Sequence, residues 1–308
     1  MKKTSSIYIA GHEEYIGSAL VSLLRKRGYS NLILQSEKKL NLQNQSAVNS
    51  FFRRAKPEYV FLARQKSGGI LSNVKYPADY IYENLMIEAN VIHGAAISGT
   101  KKLLFFGASC MYPQNAKQPI AEDALYLGLP EVTSLPYAQA KLTGVEMCRA
   151  YEAQYGMQCV SVVPATVYGP GVKHNPESNH VLTALIGNFY DAVHNNSKEV
   201  VVWGSGKPQR EFIYVDDFAR ACVFLMEKSK VSGLYNAGGG EEVSIRELAD
   251  LVKRASGYRG RVVFDRSKPD GAMRKMLSSK RIHSLGWMPQ VKLAEGVRLV
   301  YNSHKSNV

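Results

Sequence analysis

The chain has 308 residues, of which 45% are hydrophobic and 21% charged, values typical of a globular enzyme with one large or two medium-sized domains. It has no run of ~18 apolar residues, so we expect no membrane-spanning segment. The formal net charge is +13. Because the basic residues are scattered and not interleaved with aromatic ones, this charge favours a small phosphorylated partner over nucleic acid. The four cysteines form no CxxC pair, which indicates a reducing, cytoplasmic compartment, and we expect no metal site.

Strands and helices alternate through the first half of the chain. An apolar run at residues 6–10 is followed by Gly11 and then by apolar residues at helical spacing up to Gly28, which predicts a strand, a glycine turn and a helix. The alternation continues with predicted strands at 32–34, 59–63, 103–107 and 159–164, and with predicted helices at 45–55, at 79–97 and around Tyr137 up to about residue 155. This order predicts an α/β fold with a doubly wound parallel sheet of the Rossmann type, which binds ligands beyond the carboxyl ends of its strands.

The pattern becomes less regular after residue 172. The predicted elements there are helices at 182–195, 216–229 and 244–256 and a strand at 200–203. We therefore predict two domains. A Rossmann-type dinucleotide-binding domain covers residues 1–172 and 204–239, and a smaller α/β substrate domain covers residues 173–203 and 240–308.

The stretch from Leu103 to Lys141 contains three residues with clear chemical potential, namely Cys110, Tyr137 and Lys141. Tyr137 and Lys141 are four residues apart, so on a helix they share a face. Because an ammonium beside a phenol favours the phenolate, we expect a lowered Tyr137 pKa and a proton donor usable near neutral pH. Taken alone, the pair is equally consistent with a surface tyrosine packed along a lysine stem, and Cys110 with a small buried residue.

Six segments together resemble the GDP-L-fucose synthase family of the extended short-chain dehydrogenase/reductase superfamily. They are the first glycine turn, GASCMYP, PYAQAK, SNHV, VVVWGSGKPQREFIYVDD and FDRSKPDGAMRK. The resemblance covers nearly the whole chain and keeps the order and spacing of the motifs. It implies an enzyme that epimerises C3 and C5 of GDP-4-keto-6-deoxy-D-mannose and then reduces C4 with NADPH. GDP-colitose synthase is a close relative that acts on a 3-deoxy version of that substrate.

The resemblance also implies roles for individual residues. Epimerisation beside a ketone needs one group that removes a proton and a second that returns it on the opposite face, and the family implies Cys110 and His180. Tyr137, supported by Lys141, would protonate O4 during reduction and stabilise enolate charge before it. The predicted cofactor-binding residues are Gly11, Gly17, Glu37, Arg64 and Lys141, of which Glu37 and Arg64 depart from the family pattern. The implied substrate-binding residues are Ser109, Trp203, Arg210 and Asp270. A homodimer through the helix that carries Tyr137 is also implied.

The predicted dinucleotide site departs from the family pattern GxxGxxG. The middle glycine is replaced by Glu14, between Gly11 and Gly17, where a pyrophosphate would approach a helix N-terminus. Glu13 and Glu37 stand where the family has arginines that grip the 2′-phosphate of NADP. Three carboxylates near an anionic ligand each oppose its binding.

Arg64 and Gln65 replace a run of alanines that the family has after the third predicted strand. One hypothesis is that Arg64 pairs with Glu14 or Glu13 and fills the pyrophosphate site with protein. The alternative is that Arg64 contacts the pyrophosphate itself and offsets Glu14. Glu37 would then bind the ribose 2′-hydroxyl of NAD(H), as acidic residues do in NAD enzymes.

The catalytic serine of the family is replaced by Ala108. We expect Ser109 to lie one step further along the strand and so to face the other way. Loss of one such hydrogen-bond donor typically lowers rates ~10²–10³-fold.

The proton-transfer residues of the family are present, whereas its hydride-transfer residues are altered. We therefore predict an epimerase acting at C3/C5 of a GDP-4-keto-6-deoxy-hexose, with C4 reduction by NAD(P)H left open. Two alternatives are a full NAD(P)H-dependent GDP-fucose or GDP-colitose type of synthase, and a catalytically reduced paralogue that binds sugar nucleotide without turnover.

Overall fold

The computed structural model describes residues 1–171, 181–268 and 270–306, which form twelve strands and ten α-helices. The strands are β1 (Ile7–Ala10), β2 (Leu32–Ile33), β3 (Tyr59–Leu62), β4 (Lys102–Phe106), β5 (Gln158–Pro164), β6 (Thr166–Tyr168), β7 (Glu199–Trp203), β8 (Gln209–Tyr214), β9 (Gly233–Ala237), β10 (Glu242–Ser244), β11 (Arg261–Asp265) and β12 (Arg274–Lys275). The helices are α1 (Tyr15–Lys26), α2 (Gln45–Ala55), α3 (Ile70–Lys75), α4 (Pro77–Ile97), α5 (Leu135–Tyr155), α6 (Val181–His194), α7 (Val215–Glu227), α8 (Ile245–Ser256), α9 (Lys280–Ser284) and α10 (Leu293–Ser306).

The main sheet has six parallel strands in the order β2-β1-β3-β4-β5-β9. Helix α4 packs against α2 and α5, and α1 packs against α7. Strands β1 and β4 are buried along their whole length, as expected for strands covered on both faces. The predicted doubly wound, Rossmann-type α/β fold is confirmed.

The strand order reverses between β1 and β3, because β2 lies on one side of β1 and β3 on the other. Such a switch point opens a crevice at the carboxyl ends of the two strands, where open α/β sheets bind ligands. Gly11 follows β1 and Arg64 follows β3. A Cβ atom on Gly11 would lie 2.7 Å from the Arg64 Cα, so the two loops meet at this point.

A smaller α/β unit surrounds a second hydrophobic core, to which α6, α8 and α10 contribute. Its strands form a parallel β7–β11 pair and a small mixed sheet in which β8 lies between β10 and β12. Phe212 and Tyr214 of β8 belong to this second core, whereas Ile282 and Trp287 pack into the main core. The division at residues 172/173, 203/204 and 239/240 stays a prediction.

Several local predictions are confirmed within one or two residues. Helix α2 has its predicted bounds, and α8 begins with a capping box between Ser244 and Glu247. Over residues 1–171, 181–268 and 270–306, no helix is long and apolar enough to cross a membrane.

Candidate active site

Helix α5 carries the predicted tyrosine and lysine on one face, as the spacing indicated. Tyr137 lies in the first turn and Lys141 one turn later. Both side chains are buried, and the Lys141 ammonium lies 5.8 Å from the centroid of the Tyr137 ring. The Tyr137 hydroxyl donates a hydrogen bond to Gln65 Oε1 at 3.2 Å. Tyr137 therefore points toward the loop that follows β3, which also holds Arg64.

Lys141 forms a buried ion pair that the sequence did not indicate. Its Nζ lies 3.0 Å from Glu88 Oε1 of α4, and each side chain is only 1% exposed. Burial raises the pKa of Glu88 to about 7, although the nearby Lys141 ammonium acts in the opposite direction. A carboxyl with this pKa changes its charge around neutral pH, directly beside the lysine of the site.

The expectation of a lowered Tyr137 pKa is wrong. Burial raises the pKa of Tyr137 well above its ordinary value, and the neighbouring Cys110, Glu88 and Tyr80 raise it further. The physical reason is that the spacing of Tyr137 and Lys141 revealed the ammonium but not the burial of the phenol, which is the largest cause, nor the neighbouring Cys110 and Glu88. Tyr137 is thus held as a neutral phenol, which is a proton donor and a hydrogen-bond donor rather than a base.

Cys110 lies beside this pair, in a short 3₁₀ turn over Ser109–Met111 that follows β4. Its half-buried thiol is free. Burial raises the pKa of the Cys110 thiol, while the ammonium groups of Lys275 and Lys141 and a hydrogen bond with Ser134 act in the opposite direction. Cys110, Tyr137 and Lys141 are therefore brought together, with a protonated thiol next to a protonated phenol.

The alternation argument for Ser109 is wrong. Strand β4 ends at Phe106, and Ser109 begins the 3₁₀ turn after the extended Ala108, so a two-residue period does not apply. Its assignment to the substrate stays a prediction. His180 lies outside the described residues, and its role also stays a prediction.

The other predicted substrate residues lie on the smaller α/β unit. Arg210 on β8 is paired in register with Lys275 on β12, which places two cationic side chains on neighbouring strands. The Asp270 carboxylate accepts hydrogen bonds from the backbone N–H of Ser205 at 2.8 Å and from its hydroxyl at 2.6 Å. Trp203 ends β7 with 62% of its surface exposed. An exposed indole is available for a ligand.

The glycine turn after β1 fits a dinucleotide. Gly11 has a φ of +82°, a left-handed conformation that favours glycine. A Cβ on Gly17 would collide with the carbonyl oxygen of Gly11, so the close approach of α1 to the turn requires glycine. Glu14 is the N-cap residue of α1 but makes no side-chain cap hydrogen bond. The start of α1 is therefore not capped by its own carboxylate.

Instead, Arg64 holds that carboxylate. Arg64 Nη1 lies 2.5 Å from Glu14 Oε1, which agrees with the hypothesis that Arg64 pairs with Glu14 or Glu13. Arg64 Nη2 also donates to both carboxylate oxygens of Glu37, at 2.9 and 3.0 Å, a second partner that the sequence did not indicate. The open cleft around these groups has about 410 Å³ of empty space and is also lined by Gly11 and Glu13.

Four residues of the site escaped sequence reasoning, namely Gln65 as the acceptor from Tyr137, Glu88, Ser134 and Lys275. Gln65 and Lys275 carried a usable signal, because Gln65 replaces one of the family's alanines and Lys275 ends the FDRSKPDGAMRK segment. Within the described part of the chain, no group of three His, Cys, Asp or Glu side chains is arranged to hold a metal ion.

The sheet is of the Rossmann type, a glycine turn lies at its switch point, and a buried tyrosine–lysine pair reaches the loop after β3, which meets that turn. These features define a dinucleotide-dependent enzyme of the short-chain dehydrogenase/reductase class. Comparison with known proteins narrows this class. Residues 7–238 match the model of the NAD dependent epimerase/dehydratase family. A protein named putative GDP-L-fucose synthase 2 from Arabidopsis thaliana is 48% identical over 308 residues, which is 100% of this chain and 94% of that protein.

GDP-L-fucose synthase from Escherichia coli is 45% identical over 96% of this chain and 95% of its own length. Among solved structures, a GDP-mannoheptose C4 reductase from Campylobacter jejuni with NADP bound has a TM-score of 0.90 and 40% identity, covering 99% of both chains. The chain belongs to the NAD dependent epimerase/dehydratase family and, within it, to the GDP-L-fucose synthase family.

Proposed function

We propose that this protein is an epimerase and reductase that acts at C3, C5 and C4 of a GDP-linked 4-keto-6-deoxy-hexose. One observation carries the proposal. A thiol, a neutral phenol and a buried lysine lie together, at Cys110, Tyr137 and Lys141, in a chain similar throughout its length to proteins named GDP-L-fucose synthase.

Cys110 serves the epimerisation as a proton donor. A proton on the carbon next to the C4 ketone is acidic, and its loss gives an enolate that must be reprotonated on the opposite face. Because the pKa of the Cys110 thiol is raised by burial, the thiol is protonated and suited to that second step. The first proton is then removed by another group, and we assign this role to His180 by family resemblance.

Tyr137 serves both halves of the reaction at O4. As a neutral phenol it donates a hydrogen bond to the enolate oxygen, and it passes its proton to O4 when C4 is reduced. To reach the sugar, its hydroxyl must exchange Gln65 Oε1 for O4. Lys141 supplies positive charge behind it, to an extent set by the ionisation of Glu88.

The glycine turn and the cleft beside Arg64 are the proposed dinucleotide site. When bound there, NAD(P)H supplies the hydride for C4. Gly11 and Gly17 allow the backbone to approach the pyrophosphate. Ala108 offers no hydroxyl to O4, so we expect reduction to depend on Tyr137 more than in family members with a serine.

Arg210 and Lys275 are the proposed contacts of the GDP diphosphate. Their register on adjacent strands puts two cationic groups within reach of one anion, and a guanidinium binds phosphate oxygens in a fork. Trp203, Asp270 and Ser109 complete the proposed substrate site. By family resemblance we also propose a homodimer through α5 and a cytoplasmic location.

The test is turnover of GDP-4-keto-6-deoxy-D-mannose with NADPH and with NADH. We expect oxidation of the dinucleotide, followed at its absorbance band, and a product with inverted C3 and C5 and a C4 hydroxyl, identified by NMR. Tyr137→Phe should lower the rate by roughly 10²–10⁴-fold. Tight binding of the sugar nucleotide with neither exchange nor reduction would contradict the proposal and favour the catalytically reduced paralogue.

A further inference from the structure

We propose that the cluster formed by Glu14, Arg64 and Glu37 selects a dinucleotide whose adenosine ribose has a free 2′-hydroxyl, so that the cleft binds NADH in preference to NADPH. The inference rests on the dinucleotide-dependent reduction proposed above, and it names the form of the cofactor that these residues accept.

The position of Glu37 provides the first argument. It follows β2, lines the same cleft as Gly11, and leaves 59% of its side chain exposed. In a Rossmann-type sheet, a carboxylate placed about 20 residues after the glycine turn accepts a hydrogen bond from the ribose 2′-hydroxyl. Arg64 fixes the carboxylate through two hydrogen bonds at 2.9 and 3.0 Å, so it is oriented before a ligand arrives.

The charge balance of the cleft provides the second argument. Among the described residues that line it, Glu13, Glu14 and Glu37 are anionic and Arg64 is the one cation, which leaves a formal charge of −2 from three carboxylates and one guanidinium. A 2′-phosphate would add about −1.5 to −2 at neutral pH. A 2′-hydroxyl adds no charge and donates a hydrogen bond to a carboxylate.

The ion pairs of Arg64 provide the third argument. A guanidinium can bind a 2′-phosphate, but Arg64 already uses Nη1 for Glu14 and Nη2 for Glu37. Binding a phosphate would require Arg64 to release Glu37 and leave that carboxylate beside the phosphate. The pair with Glu14 has a separate effect, since it draws a carboxylate away from the start of α1, where a pyrophosphate binds.

The test is a binding measurement without sugar substrate, by calorimetry or by quenching of protein fluorescence, with NADH and NADPH as the probes. We expect NADPH to bind at least about tenfold more weakly than NADH. Repulsion between the 2′-phosphate and a carboxylate at ~4 Å has an energy that corresponds to a difference in affinity of this order. Glu37→Arg should reverse the order, and Glu37→Gln should narrow the difference. Circular dichroism verifies that each variant is folded.

A matched control is Glu199→Arg. Glu199 is an exposed carboxylate of β7 that pairs with Arg261 at 3.4 Å, so its reversal changes the net charge equally without altering the cleft. Three results would overturn the inference: NADPH bound as tightly as NADH, the same shift in Glu199→Arg, or no binding of either dinucleotide. The proposal that the protein epimerises its substrate without a dinucleotide is compatible with all three results. Conversely, selective binding of NADH without any turnover of the sugar would refute only the proposed function.

Discussion

Replacing Glu88 by glutamine tests the buried pair behind the tyrosine. Glutamine keeps the shape of the side chain but cannot ionise, so it imitates the protonated carboxyl. Because burial raises the Glu88 pKa from 4.5 to about 7, the native state binds a proton in this interval that the unfolded state releases. The free energy of unfolding of the wild type should therefore fall as pH rises from about 4.5 to 7.

The size of the effect follows from the pKa shift. Raising the Glu88 pKa from 4.5 to about 7, at ~1.4 kcal/mol for each factor of ten in proton concentration, corresponds to about 3 kcal/mol. The stability of Glu88→Gln relative to the wild type should rise by this amount between about pH 5 and pH 8.

Urea denaturation at several pH values, followed by circular dichroism, measures this difference. Glu58→Gln is a suitable control. Lys101 lowers the pKa of Glu58 below its ordinary 4.5, so this variant should differ from the wild type by a constant amount above about pH 5. A pH-independent difference for Glu88→Gln would show that Glu88 stays ionised in the fold, and a fall with rising pH would refute the reasoning.

Three further substitutions test other parts of the site. Ala108→Ser should restore a hydrogen-bond donor toward O4 and accelerate reduction about tenfold or more, with C3/C5 exchange unchanged. Equal acceleration of reduction and exchange would contradict a specific role of residue 108 in reduction. Gly17→Ala should abolish dinucleotide binding, measured by titration, and lower the free energy of unfolding by ~1–3 kcal/mol, measured by urea denaturation. The reason is that the added Cβ collides with the carbonyl oxygen of Gly11. Lys275→Met removes one charge that lowers the pKa of Cys110, so the pH dependence of C3/C5 exchange should move to higher pH; a shift to lower pH would contradict this.

Five of the six strands of the main sheet were predictable because they are local and strongly patterned, whereas β9 was not predicted. Strand β4 is an apolar run with a helix on either side in the sequence, and α5 could be placed from Tyr137 to about Tyr155. Strand β8 was missed because QREFIY begins with polar residues and its partners, β10 and β12, lie far along the chain. Pairing over such distances leaves no periodicity in a single segment.

The chemical content of the site was only partly predictable, for the same reason. The i, i+4 spacing correctly placed Tyr137 and Lys141 on one face. Of the two hypotheses for Arg64, the structure agrees with the one in which it pairs with Glu14 or Glu13, since it pairs with Glu14. The spacing gave the wrong direction for the Tyr137 pKa because burial, which raises this pKa most, and the nearby Glu88 both depend on packing between helices that are distant in sequence. Electrostatics in a buried site depends on every neighbour, and most neighbours are distant in sequence.

Deuterium exchange without added dinucleotide tests the central claim most directly. With GDP-4-keto-6-deoxy-D-mannose in D₂O, we expect NMR to show deuterium at C3 or C5, and Cys110→Ser to slow its incorporation by about 10²-fold or more. Cys222→Ser, a change at a buried thiol of α7, should leave the exchange unchanged. No exchange in the wild type, or equal exchange in Cys110→Ser, would contradict an enolising site built around Cys110.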